Sequence, residues 1–179
     1  MRHRRHGRVL GRSPSHRRAL LRNLASALII TERLESEFDV NPPKVKGRII
    51  TTVAKAKEVR PMVEKCVTIA KKGLIAQRAA ADFGTAAERN TAEWKQWRQS
   101  ENYAKWVEAS APAVTARRRL LQMLCNKEAV GILFDVLAER FEDRPGGYTR
   151  ILRLATPRLG DAGPRAILEF VGNNDRVVK

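Results

Sequence analysis

The sequence predicts an α+β fold, and three observations carry that prediction. Several stretches repeat apolar residues at helical spacing, as in Leu20, Leu21, Leu24, Ala25, Leu28 and Ile29. Others are short and extended, bounded by Gly and Pro, as on either side of Pro157, Gly160, Gly163 and Pro164. Apolar residues make up 43% of the 179-residue chain, enough to build a core around which both kinds of element can pack.

The elements follow in order. Ser13-Pro14 starts a first helix, because serine caps and proline is tolerated in the first turn. The stripe from Leu20 to Ile29 gives it one buried face, and Arg17, Arg18 and Arg22 fall largely away from that stripe. Leu34, Ser36 and Phe38 alternate with Arg33, Glu35 and Glu37, which predicts a strand with one wet face. Asn41-Pro42-Pro43 breaks regular structure, a basic loop covers 44–48, and 49–53 adds a short extended piece. A second helix is predicted over 54–72, with Val59, Val63, Cys66, Val67 and Ala70 inward; Pro61 is either tolerated early in it or divides it.

The next forty or so residues are less regular, punctuated by Gly84, Asn90 and Pro112, and they hold Trp94, Trp97, Tyr103 and Trp106. On one continuous helix Trp94 and Trp97 would share a side and Tyr103 and Trp106 would point largely opposite, so two-sided packing is expected there. Helices are predicted over 113–126 and 127–141, the latter with Ala129, Val130, Leu133, Val136, Leu137 and Phe141 as its apolar stripe. Residues 143–147 form a turn, 148–154 and 166–171 are strands, and 172–179 is a short tail. The organisation expected is a basic arm (1–12), one domain (13–171) with 76–116 inserted as a helical segment, and the tail.

Charge narrows the function. Residues 1–22 carry eight arginines and three histidines with no lysine, aspartate or glutamate, and the whole chain has a net charge of +16. A segment this basic repels itself and stays extended, and the field it adds draws polyanions. Guanidinium grips phosphate bidentately and stacks on bases, which ammonium does not. An anionic membrane surface answers to the same charge, but no apolar run approaches the ~20 residues of a spanning helix. The leader lacks the apolar segment of a secretory signal. Its arginines and serines resemble an organelle transit peptide, the alternative reading of this stretch.

Other chemistry is not indicated. His3, His6 and His16 sit among cations, a poor setting for a metal. Gly146-Gly147 lacks the Gly-Lys-Ser/Thr ending of a nucleotide loop. Asp143, Asp161 and Glu169 have no nucleophile–base pair beside them, so turn and surface roles are expected and no enzyme. Cys66 and Cys125, each among aliphatics, are expected to be buried free thiols. Arg144, Arg150, Arg153 and Arg158 surround Tyr148, a second basic patch with one aromatic for stacking or 2′-hydroxyl contacts.

Four segments are specific enough to carry a resemblance. MRHRRHGRVLGR with Ser13-Pro14-Ser15-His16-Arg17 resembles the start of ribosomal protein seventeen of the bacterial large subunit, VAKAKEVRPMVEKCVTIAK (53–71) is similar to that family's Ala-Lys-Glu helix, and ERFEDRPGGYTRILRL (139–154) with GDAGPRAILEFV (160–171) is similar to its closing strands. The match begins at Met1, which speaks against a removable transit peptide. The resemblance implies helices on a small mixed β-sheet and a structural, non-catalytic role on large-subunit ribosomal RNA, near the exit of the nascent-chain tunnel, in the cytoplasm. It implies RNA contacts from Arg2, His3, Arg4, Arg5, Gly7, Arg8, Arg12, Ser15, His16, Arg17, Arg22, Tyr148 and Arg150. Neighbouring large-subunit proteins are the other partners expected; no membrane, cofactor, metal, small-molecule substrate or obligate homo-oligomer is. The chain departs from the family pattern by a longer link at 38–48 and an enlarged region at 76–116.

Overall fold

The computed structural model describes residues 7–33 and 42–172. The first helix, α1 (Pro14–Ile30), starts where its cap predicts: the Oγ of Ser13 accepts from the His16 N–H at 3.5 Å, and Pro14 occupies the first turn, where its missing N–H costs nothing. At the other end the Thr31 hydroxyl donates to the Leu28 carbonyl at 2.6 Å and accepts from the Gly47 N–H at 3.1 Å, fastening α1 to the approach of the sheet. The strand predicted around Leu34–Phe38 lies outside the described residues.

β1 (Arg48–Thr52) runs straight into α2 (Val53–Ala81). The helix continues past its expected end at 72, through a segment rich in alanine. Alanine has the highest helix propensity, yet it leaves no stripe of large apolar residues to announce a helix. Pro61 does not divide α2. The next helices are α3 (Ala92–Gln99) and α4 (Glu101–Leu124), so the expected 113–126 helix begins a full three turns earlier and carries Pro112 inside it. Ser100 between them is extended, at φ −82° and ψ 160°. That break folds the aromatics together. Trp97 meets Tyr103 and Trp106 edge-on, with centroids 5.1 and 5.6 Å apart, which corrects the two-sided arrangement expected of one straight helix.

α5 (Lys127–Ile132) is capped by the Asn126 side chain, which accepts from the Ala129 N–H at 2.9 Å. It passes through a π-helical turn (Leu133–Leu137) into α6 (Ala138–Arg140). β2 (Thr149–Arg153) and β3 (Arg165–Phe170) complete a three-stranded sheet in the order β1-β3-β2. Both pairings are antiparallel. The sheet is therefore not mixed: β1 and β2 run the same way, but β3 lies between them and no parallel ladder forms.

Alternation sorts the strands into two faces. Ala166, Leu168 and Phe170 are fully buried on the inner face, with Ile49 and Ile151 beside them. They close a core with Leu28 and Ile29 of α1, Val59, Val63 and Val67 of α2, Leu120 of α4, and Leu133 and Leu137 of the π turn. Burying each such side chain stabilises the fold by about 1.5–3 kcal/mol before entropy is counted. The outer face carries Ile50, Ile167 and Leu152 in register, next to the row Arg48, Glu169, Arg150.

One of the two cysteines departs from expectation. Cys66 is buried in α2, and burial pushes its thiol up to about 12 against a smaller opposing pull from Lys65. Cys125 is exposed. It caps α4 in the left-handed region at φ 54°, its N–H donating to the Leu121 carbonyl at 2.8 Å, and this swings the side chain off the aliphatic face. Since the thiolate is the reactive form, a thiol reagent at neutral pH should modify one cysteine promptly and the second only after denaturation. Replacing Cys125 with serine should remove the prompt reaction; rapid labelling of two thiols in the native protein would contradict this burial.

Candidate nucleic-acid interface

The cationic leader is fastened to the body at its first described residues, Gly7 and Arg8. Arg8 Nη1 donates to Glu58 Oε1 of α2 at 2.6 Å, with Glu58 mostly covered and Arg8 half-exposed. Gly7 lies beside the same carboxylate at φ 86°, and a Cβ there would come within 3.3 Å of Glu58 Oε2. Only glycine takes this path without strain. Arg12 then closes a turn, its N–H donating to the Val9 carbonyl at 3.2 Å and its Nη1 to the Leu10 carbonyl at 2.8 Å. Arg12 Nε is buried with no hydrogen-bond partner among the described residues.

This turn delivers the chain to the N-terminus of α1. Ser15, His16 and Arg18 are exposed there and Arg17 is half-buried. A helix N-terminus with free N–H groups and surrounding cations favours an anion. Arg22 lies further along and has a second duty: its Nη2 donates to the Gln122 carbonyl at 3.4 Å, near the C-terminal end of α4, where a cation is favoured. That contact brings in a group that the sequence alone did not single out. Arg118 and Arg119 of α4 are exposed one turn before Gln122. Three successive arginines at 117–119 were the available signal. Arg117 itself is committed inward, stacked 4.0 Å from the Phe134 ring and donating to Gln77 Oε1 at 3.0 Å.

The structure thus gathers Gly7, Arg8, Arg12, Ser15, His16, Arg17 and Arg22 along one continuous stretch. Arg2, His3, Arg4 and Arg5 lie outside the described residues.

The basic patch expected around Tyr148 is arranged otherwise. The Tyr148 ring is 2% exposed and packs 5.2 Å from Phe141, so it offers no face for a base to stack on. Its hydroxyl lies 3.4 Å from Lys71 Nζ, which also reaches the Arg144 carbonyl. Three of the four arginines, Arg144, Arg150 and Arg158, are committed to nearby partners. Arg144 Nε donates to the carbonyls of Gly146 and Gly147, both at 3.2 Å, and Arg158 holds Asp161. The Arg158 guanidinium and the Gly163 N–H keep the Asp161 carboxyl far below the usual carboxylate range. Arg150 Nε donates to Glu169 Oε1 at 2.5 Å, and Glu169 is buried across from both Arg150 and Arg48 in the ladder. Asp161 and Glu169 are thus both partnered by arginine, in structural roles.

The aromatic segment is not an open platform either. Arg98 lies over the Trp94 ring at 5.0 Å and over Tyr103 at 5.6 Å, and Trp97 Nε1 donates to the Phe83 carbonyl at 3.1 Å. These rings spend their faces on each other and on Arg98.

Residues 20–171 match the sequence profile of the family described as Ribosomal protein L17. The chain is 63% identical over 179 residues to the large ribosomal subunit protein bL17 of Rhodopirellula baltica, covering 100% of this chain and 85% of that relative. It is 38% identical over 163 residues to the bL17 of Shouchella clausii, covering 90% of this chain and 96% of the relative. It is 36% identical over 173 residues to that of Koribacter versatilis, covering 97% and 73%. A profile match over most of the chain and an identity of this size through its full length leave one conclusion: the chain belongs to the ribosomal protein L17 family, whose members are structural components and not enzymes.

Proposed function

We propose that this chain binds large-subunit ribosomal RNA through its leader and the basic face of α1, near the exit of the nascent-chain tunnel. In this reading it sits among other large-subunit proteins of a bacterial-type ribosome in the cytoplasm, and it supports subunit assembly and translation. Residues 1–12 act as the arm, 13–171 as the body with 76–116 as an elaboration, and 172–179 as a tail. The observation that carries the reading is the fastening of the leader. Arg8 on Glu58, the Val9–Arg12 turn and the Ser13 cap fix where the cationic segment leaves the body and in which direction α1 continues it. Arginines there offset phosphate repulsion where RNA strands crowd together, and the body sets their register. Arg22 and Tyr148 serve by holding α1 on α4 and the β2 start on the core, while Arg8, Arg12, His16 and Arg17 face the RNA. The tunnel-exit position rests on the family resemblance.

Deleting residues 1–12 tests this. The full chain should sediment with large-subunit particles in a sucrose gradient and resist moderate salt. The truncated chain should fold but incorporate poorly, and its binding to large-subunit RNA should lose salt dependence by about 0.7–0.9 in log–log slope for each phosphate no longer neutralised. Equal incorporation of both chains would dismiss the arm. Recovery of the full chain mainly free or on DNA would favour a general nucleic-acid-binding regulator instead.

A further inference from the structure

A groove of about 670 Å³ runs between the first half of α2 and β2, apart from the leader and α1. Lys57, Arg60 and Glu64 line one wall at helical spacing, Thr149, Ile151 and Arg153 line the other at strand spacing, and Arg150 stands at the rim. Arg150 is held by Glu169, so three cations, Lys57, Arg60 and Arg153, share the groove with one acid. That acid is already committed: both oxygens of Glu64 accept backbone N–H groups, from Tyr148 at 3.0 Å and Thr149 at 2.9 Å, and Arg60 lies 3.9 Å away. Lys57 and Arg153 are exposed and form no ion pair among the described residues.

We infer that this groove is a second RNA site, one that takes the ribose-phosphate backbone, with Lys57, Arg60 and Arg153 as its phosphate ligands. The inference rests on the reading of the chain as an RNA-binding protein. The charges are strung along two walls, since Lys57 and Arg60 alone are about 4.5 Å apart in helical rise, and do not converge on one point. That arrangement suits a chain of phosphates better than one small anion. Val53, Pro61 and Ile151 supply apolar surface between the cations, against which a ribose can lie. Gly147 keeps the floor low, with φ at 65° and open space where a Cβ would stand, so a backbone can approach closely. The leader is anchored at Glu58, the residue after Lys57, so RNA held by the leader is delivered to the same helix. The groove offers cations spread along two walls and apolar surface between them, features that every nucleotide's ribose and phosphate can meet. It recognises backbone, and contributes affinity and register without base specificity.

The test uses the full chain carrying K57Q, R60Q and R153Q together, with large-subunit ribosomal RNA. The log–log salt slope should fall by about 2–3, at 0.7–0.9 for each phosphate left without its cation. Hydroxyl-radical footprinting should show that backbone protections disappear at positions different from those affected by deleting residues 1–12. An unchanged slope and footprint in the triple variant, with the deletion still defective, would overturn the groove and leave the leader standing. No change in either variant would overturn both. Displacement of the RNA from the groove by millimolar inorganic phosphate would make it a site for one small anion and also overturn the proposal. Should the triple variant fail to fold by circular dichroism, R153E alone, at an exposed strand end, must still abolish the groove protections.

Discussion

Replacing Glu64 with alanine will destabilise the fold by about 3 kcal/mol, the midpoint in urea falling with the slope of the transition unchanged. For a chain of this size that corresponds to a drop of roughly 6–12 °C in Tm. The reason is an accounting of donors. The start of β2 has two backbone N–H groups that no strand reaches, those of Tyr148 and Thr149. Glu64 takes both, at 3.0 and 2.9 Å, and accepts the Thr149 hydroxyl at 2.6 Å. Hydrogen bonds to a charged acceptor contribute about 1.5–3 kcal/mol each, and a buried donor left without a partner costs its full desolvation. The loss stays below the sum of three because Glu64 is partly open to water, which can re-satisfy some of the donors. Glu64→Gln separates charge from geometry. Its carbonyl can still serve Thr149, but its amide then opposes the Tyr148 N–H, so about half the loss is expected. A Glu64→Ala protein within 1 kcal/mol of wild type would mean that β2 is positioned by the core alone.

That carboxylate marks the limit of what the chain discloses about its own fold. Local signals were legible. Ser13-Pro14 starts α1 because a hydroxyl and a missing N–H are properties of those two residues. The strand that becomes β3 follows from a short apolar run bounded by Gly163 and Pro164. Longer-range outcomes were not legible. Glu64 finds its donors 84 residues away, and nothing near it in sequence distinguishes it from Glu58, which takes Arg8 instead. The placing of β3 between β1 and β2 is a long-range pairing that no local pattern in the three strands records. Alanines 79–81 hid the end of α2, and the break at Ser100 hid the meeting of Trp97 with Tyr103 and Trp106.

The candidate interface divides in the same way. Residues 1–22, with eight arginines and no acid, declare themselves, because charge density is a local property. Tyr148 misled because proximity in sequence to four arginines says nothing about which side of the chain the ring takes, and the turn at Gly147 sends it into the core. The groove was invisible for the converse reason. Lys57 and Arg60 look like an ordinary solvated helix face, and Arg153 like an ordinary strand end, until packing of β2 against α2 sets them across from one another.

Gly73 carries the other large effect. It lies on α2 where the helix crosses both α4 and the π turn, and a Cβ there would stand 2.7 Å from Phe134 Cε1, 2.8 Å from Cζ and 2.9 Å from the Ala116 Cβ. Glycine inside a helix costs about 1 kcal/mol against alanine, so an unconstrained site would gain from substitution. This one is constrained. Phe134 is buried and cannot retreat, because Arg117 is stacked on its ring at 4.0 Å and held in turn by Gln77. Gly73→Ala should therefore lose about 1 kcal/mol despite the better propensity, and Gly73→Leu about 3 kcal/mol or more, as overpacked cores do. The clash has a named partner, so it has a named remedy: Phe134→Leu should be less harmful in the Gly73→Ala background than in wild type, with a coupling of at least about 0.5 kcal/mol in a double-mutant cycle. If Gly73→Ala instead raises Tm, α2 and the π turn are less closely packed than their side chains indicate, and the glycine is there for some reason other than room.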